Sequence, residues 1–155
     1  MAFNGKGWAL GALKKYAKAH NAFEQAIDIN PNSDKHWQGK GNTLYYLGRF
    51  QESLEAYNMS LEINDDSHDS WLGKRWPSGW LKRYKPALEA ADNAIAINNK
   101  SGNSWLVKGL ILYETERYFE ARIALQESLA IEPDNKTAQH FLKLAERQLN
   151  KRQIT

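Results

Sequence analysis

The sequence predicts an all-α fold made of repeated antiparallel helix pairs. Three observations predict it. Residue types recur every 34 positions along the chain without insertion or deletion. Apolar residues inside each period fall at the i, i+4, i+7 spacing of a helix face. Small residues recur where two helices of a pair must approach closely. Phe3, Trp37, Trp71 and Trp105 form one column of the repeat, and Tyr16, Phe50, Tyr84 and Tyr118 another. Gly7, Gly41 and Gly109 form a third, interrupted by Arg75. Ala19, Ser53, Ala87 and Ala121, then Ala26, Ser60, Ala94 and Ser128, supply small residues to the second helix of each pair. Ile29, Ile63, Ile97 and Ile131 close each unit.

The first unit is read as residues 1–33. It begins almost at Phe3 with no capping residue, so it is expected to be an N-terminally truncated repeat. Trp8, Leu10 and Leu13 on such an end point to self-association through it. The second unit, 34–67, shows the pattern most clearly. Trp37, Gly41, Leu44 and Gly48 lie on one stripe, and Leu54, Tyr57 and Leu61 line its partner helix. The third unit, 68–101, departs from its siblings: Arg75 replaces the glycine, Pro77 falls inside the first helix, and Ser78 replaces an inward leucine. An interior proline costs a helix about 3 kcal/mol, so this helix is expected to be bent or shortened around Trp76 to Gly79. A functional kink, tolerated drift and a short coding-frame slip all remain open as its origin. The fourth unit, 102–135, returns to the rule. Residues 136–155 read as a closing helix, apolar at Phe141, Leu144 and Ala145 and polar at Lys143, Glu146, Arg147 and Lys151. All five segments are read as one solenoid domain.

The punctuation supports these boundaries. Ser33, Ser67, Ser101 and Asn135 precede each new helix, where a side-chain oxygen can cap free N–H groups. Pro31 and Pro133 mark the turns between units, with Asp65 and Asn99 in the same column. Lys15, Arg49, Arg83 and Arg117 stand where each first helix ends, which suits the negative end of a helix dipole better than a nucleic-acid ridge.

The order of residues in the second unit (Trp37, Gly41, Ser53, Tyr57, Ser60) resembles the tetratricopeptide repeat, as do Ala19, Phe23, Ala26 and Pro31 in the first. The resemblance covers essentially the whole chain. It implies a right-handed superhelical solenoid of about four repeats plus a capping helix, with its concave side lined by the first helix of each pair. It also implies a non-catalytic scaffold for protein–protein interaction.

Composition narrows the alternatives. The chain has 155 residues, of which 42% are hydrophobic and 25% charged, with a net charge of +3 and no cysteine. Disulfides and thiolate chemistry are excluded. The small net charge gives no strong case for nucleic acid or anionic membrane, although RNA binding by a helical repeat stays the alternative, beside a self-assembling fragment of a larger repeat protein. No apolar run approaches the roughly 20 residues that span a bilayer, and no leader is evident, so the cytoplasm is the expected address. His20, His36, His68 and His140 occupy different columns without ligand spacing, so no metal and no cofactor are expected. The acidic residues are spread over solvent faces with no pair set aside for acid–base work, so no catalytic residue is assigned.

The candidate site is therefore the groove. Counting helical faces assigns to it Trp8 from the first unit and Gln38, Asn42, Tyr45 and Tyr46 from the second. Leu72, Trp76 and Trp80 come from the third, and Leu106, Leu110 and Tyr113 from the fourth. The stripe is aromatic and amide-rich with few charges, and its expected partner is a protein or peptide segment. Family members that hold a chain-terminal carboxylate use a Lys-Asn…Asn…Lys-x-x-x-Arg set. Of the matching positions only Asn42 agrees, which argues against such a clamp here.

Overall fold

The computed structural model describes residues 2–152. Met1 and the last three residues of the expected 136–155 closing segment lie outside them. The described residues are α-helical with short turns, and the chain divides into two compact units, the first ending at Arg83 and the second beginning at Tyr84. The first unit holds α1 (Ala2–Ala12), α2 (Tyr16–Ile29), α3 (Asp34–Tyr46), α4 (Phe50–Ile63) and α5 (His68–Trp80). The second holds α6 (Tyr84–Ile97), α7 (Gly102–Glu114), α8 (Tyr118–Ile131) and α9 (Lys136–Arg152). In the first unit α1 packs on α2 and α3, and α3 packs on α2, α4 and α5. In the second, α7 packs on α6, α8 and α9. These are the sequential antiparallel pairs of an all-α helical repeat.

The glycine column is explained by what it receives. Phe23 of α2 is fully buried, and a Cβ at Gly7 would stand 2.7 Å from its ring. A Cβ at Gly39, on the next pair's first helix, would clash with the edge of the same ring. Tyr57 of α4 repeats the arrangement between Gly41 and Gly73. Each ring thus sits between a glycine of its own pair and a glycine of the next. Leu125 lies against Gly109 in the second unit, where the added Cβ would come within 2.6 Å.

The turns follow the 34-residue period in backbone as well as in sequence. Lys14, Gly48, Lys82 and Glu116 all take positive φ, from 53° to 75°. The following N–H groups of Lys15, Arg49, Arg83 and Arg117 then reach back to carbonyls of Leu10, Leu44, Ser78 and Leu112 at 2.8–3.0 Å. This is the left-handed helix stop that glycine adopts without steric cost, and only the second turn uses glycine for it. At the other end of the pairs, indole N–H groups of Trp37, Trp71 and Trp105 donate to the carbonyls of Pro31, Asp65 and Asn99 at 2.7–2.9 Å. Gln139 donates to Pro133 in the same column at 2.8 Å. The tryptophan column therefore tethers each turn between units.

Three expectations about local structure need correction. Ser67, Ser101 and Asn135 do cap their helices, accepting from the N–H of Ser70, Ser104 and Ala138, but Ser33 makes no side-chain cap bond. Arg49 and Arg117 do not simply decorate a helix end. The Nε of each donates at 2.7 Å to a carboxylate in the first turn of the next helix, Glu52 and Glu120. Finally, α5 is not shortened by Pro77: it has 13 residues, as do α3 and α7. Pro77 leaves the carbonyl of Gly73 without its helical donor, while Ser78 Oγ donates to Lys74 O at 2.8 Å. Pro77 and Ser78 are both fully buried, so packing holds the helix through the defect.

Three measurements test this account. Gly39→Ala and Gly73→Ala should each lower Tm, because overpacking a pinned ring costs about 1–3 kcal/mol and exceeds the helix-propensity gain at its upper end. Gly11→Ala, whose Cβ would meet open space, should raise Tm instead. Pro77→Ala should raise Tm by about 2–5 °C, since relief of a roughly 3 kcal/mol helix penalty exceeds the loss of two buried methylenes. The Arg49 and Arg117 hydrogen bonds hold the Glu52 and Glu120 carboxyls below the usual range. Carbon-detected NMR titration should find both below the ordinary glutamate value, and Arg49→Gln should return Glu52 to it. The stabilisation from these pairs is then complete above the unfolded carboxylate pKa, and it is lost as pH falls through the lowered folded value.

Candidate functional site: an aromatic surface on the first unit

Where α3 ends, α4 begins and α5 ends, six aromatic side chains come together. Tyr46 stacks on Tyr16 at 4.7 Å between centroids, and its edge meets Tyr45 at 5.4 Å. Tyr45 contacts Phe50 at 5.7 Å and Trp76 at 6.0 Å. Phe50 in turn stacks on Trp80 at 5.2 Å with the rings 3° from parallel. The Trp80 indole N–H donates to the Tyr45 hydroxyl at 3.2 Å, closing a loop of contacts. Three of these rings remain open to solvent: Tyr46 is 54% exposed, Trp76 48% and Trp80 64%.

A cation borders the cluster. The Arg75 guanidinium lies over Trp76 with Cζ 4.1 Å from the ring centroid. Burial pushes its pKa down to about 10, while the neighbouring Tyr57 and Tyr45 act in the opposite sense. Tyr57, buried between its two glycines, has its pKa pushed up by that burial. Asn42 hydrogen-bonds the Tyr57 side chain. Its amide is therefore engaged within the protein.

Four of the sequence-assigned groove residues, Tyr45, Tyr46, Trp76 and Trp80, are thus brought into one cluster. Leu72 is half-buried on α5. Trp8 stands apart from the cluster, edge-on to Phe23 at 5.3 Å. Gln38 is corrected: it is only 8% exposed, because α3 is packed against four other helices. Leu106 is corrected too. It is 9% exposed and sits in a core with Leu125 and Ala138, against which Leu110 also packs. Tyr113 is engaged by Tyr118 at 5.4 Å and by Phe141 of α9 at 5.3 Å. The helical-face count left out α9, which supplies these residues of the second unit with a protein partner. It also left out Tyr16 and Phe50. Their column was visible in the sequence, but nothing local signalled that the start of a second helix would extend the aromatic surface.

With the geometry in place, comparison with known proteins defines the class. Residues 1–33 and residues 102–135 each match a sequence model described as a tetratricopeptide repeat. The chain thus carries tetratricopeptide repeats at these two places, and its fold is that of about four such repeats and a capping helix. No curated protein matches it by sequence. Among solved structures it is similar to MamA, with a TM-score of 0.85 at 17% identity over 94% of this chain and 80% of that one. It is similar to a chain of the APC/C hetero-tetramer Cut9-Hcn1, with a TM-score of 0.86 at 18% identity over 92% of this chain and 29% of that one. It is also similar to the first TPR domain of Spaghetti (RPAP3) bound to an HSP90 peptide, with a TM-score of 0.74 at 19% identity over 76% and 94%. At these identities the likeness establishes the fold. Tetratricopeptide repeats generally serve protein–protein interaction, and the family is typically non-catalytic. No helix among the described residues is long and apolar enough to cross a membrane.

Proposed function

We propose that this chain is a non-catalytic interaction scaffold that binds a peptide segment on the aromatic surface of its first unit. The observation that carries the reading is the exposure of Tyr46, Trp76 and Trp80 beside the tethered rings of Tyr45 and Phe50. Large aromatic side chains held in place by their neighbours lose little entropy on binding, and they dominate the energetics of protein interfaces. The surface is built by four helices, α2 to α5, so its shape is set by the packing of the repeats and not by a loop. The Spaghetti domain, described as bound to an HSP90 peptide, supports the use of this fold as a peptide holder. The residue set expected for a chain-terminal carboxylate clamp is absent, and Asn42 is engaged with Tyr57. Recognition here is accordingly read as apolar and aromatic at its centre.

Affinity capture from source lysate with wild-type protein, followed by mass spectrometry, supplies the partner. Tyr46→Ala combined with Trp80→Ala should then lower its affinity by at least about a hundredfold, because each lost aromatic anchor is worth roughly 2 kcal/mol or more. Far-ultraviolet circular dichroism should be unchanged, since both side chains are mostly in solvent. Equal affinity for the double variant would remove this surface as the site. Binding should also weaken little between low and physiological salt, because aromatic side chains make up most of the contact area.

A further inference from the structure

We propose that Arg75 captures the carboxylate of an aspartate or glutamate side chain lying within the bound segment, an inference that rests on the aromatic surface being a peptide site. Arg75 stands in a column otherwise filled by Gly7, Gly41 and Gly109, so the repeat itself does not call for a cation there. Its guanidinium is half-buried on the Trp76 ring. The groups that act on it electrostatically are Tyr57 and Tyr45, and neither is a carboxylate. Among the described residues, the ion pairs formed by other cations use Asp34, Asp69, Glu24, Glu52, Asp92 and Glu120, and none of these reaches Arg75. Removing an arginine from water without an acidic partner is unfavourable, and an incoming carboxylate reverses that loss by accepting two parallel N–H bonds from the guanidinium fork.

The position of the charge selects the kind of acid. Arg75 lies on Trp76 and acts on Tyr45, whose ring also contacts Tyr46 and Phe50, so the charge stands among connected rings. A segment that covers the exposed rings of Tyr46 and Trp80 as well as Trp76 extends beyond Arg75. A side-chain carboxylate with apolar neighbours on either side satisfies that requirement, and a chain-terminal carboxylate does not. A nucleic acid would bring a phosphate with every base, whereas Arg75 is the cation that stacks on one of these six rings among the described residues.

The test uses the full chain and peptides of defined composition. N-acetylated, C-amidated twelve-residue peptides carry leucine or phenylalanine on both sides of a central glutamate. Each is matched with a twin bearing central glutamine, and binding is followed by calorimetric titration. The glutamate member should bind at least about tenfold tighter, as expected for a charge-assisted bidentate pair. Arg75→Gly and Arg75→Gln should each erase that preference, so that the glutamate and glutamine twins bind the variant alike. Arg75→Gly restores the residue its sibling columns carry, so at least one variant retains the fold, as monitored by circular dichroism. Equal binding of the twins to wild type would overturn the role of Arg75 and leave the peptide surface standing. Failure of both twins to bind would overturn the surface reading and this inference with it. Tighter binding of peptides whose sole carboxylate is terminal, or of an oligouridine twelve-mer, would also overturn the inference.

Discussion

The rest of the first unit depends on one packing constraint, the seating of Phe23 and Tyr57 each between two glycine-bearing helices. A ring from the second helix of a pair fills the space that the absent Cβ atoms of Gly7 and Gly39, or of Gly41 and Gly73, leave open. Close packing makes such an arrangement cooperative, because no neighbouring atom can move to admit a methyl group without displacing the ring. The same ring touches its own pair and the next one. It therefore fixes both the angle within a hairpin and the stacking of one hairpin on another, which is how nearest-neighbour interfaces come to hold a repeat together.

That constraint also builds the candidate site. Once α3, α4 and α5 are stacked, the end of α3 brings Tyr45 and Tyr46 beside Phe50 at the start of α4 and beside Trp76 and Trp80 on α5. The left-handed turn at Gly48 lets Phe50 fold back beside Tyr45 within five residues. In the second unit the same geometry recurs between Tyr113 and Tyr118, but Phe141 of the closing helix takes up the edge of Tyr113. One repeat motif thus yields an open aromatic surface in the first unit and a covered one in the second. What distinguishes them is whether another helix of the same unit lies against the rings.

This contrast explains what the sequence could and could not disclose. The fold was legible because it is written in columns: Trp37, Trp71 and Trp105 at one spacing, and Gly41 and Gly109 at the same spacing, need no knowledge of distant contacts. Tyr45, Tyr46, Trp76 and Trp80 were legible as one face for the same reason. Gln38 and Leu106 were not. Helical phase assigns a direction to a side chain, but burial depends on which helices flank that direction, and α9 is not part of the periodic pattern. Phe50 and Tyr16 escaped because the count followed only the first helix of each pair. Arg75 was legible as an exception to a column. Its stacking on Trp76 was not, because consecutive side chains of a helix do not ordinarily face each other.

The exception at Arg75 becomes intelligible when the two packing columns are set side by side. The residues that supply the central side chain read Phe23, Tyr57, Ala91 and Leu125, and those that receive it read Gly7, Gly41, Arg75 and Gly109. The 34-residue repeat that lacks the glycine also lacks the large residue, so its sequence drops both members of the ring-and-glycine pairing and leaves the column free for a long side chain. The arginine uses that freedom to stack on Trp76 beside Tyr45, at the branch point of the exposed rings. Relief of one structural constraint thereby places a cation where the repeat ordinarily has none, on the face where the aromatic side chains already project into solvent.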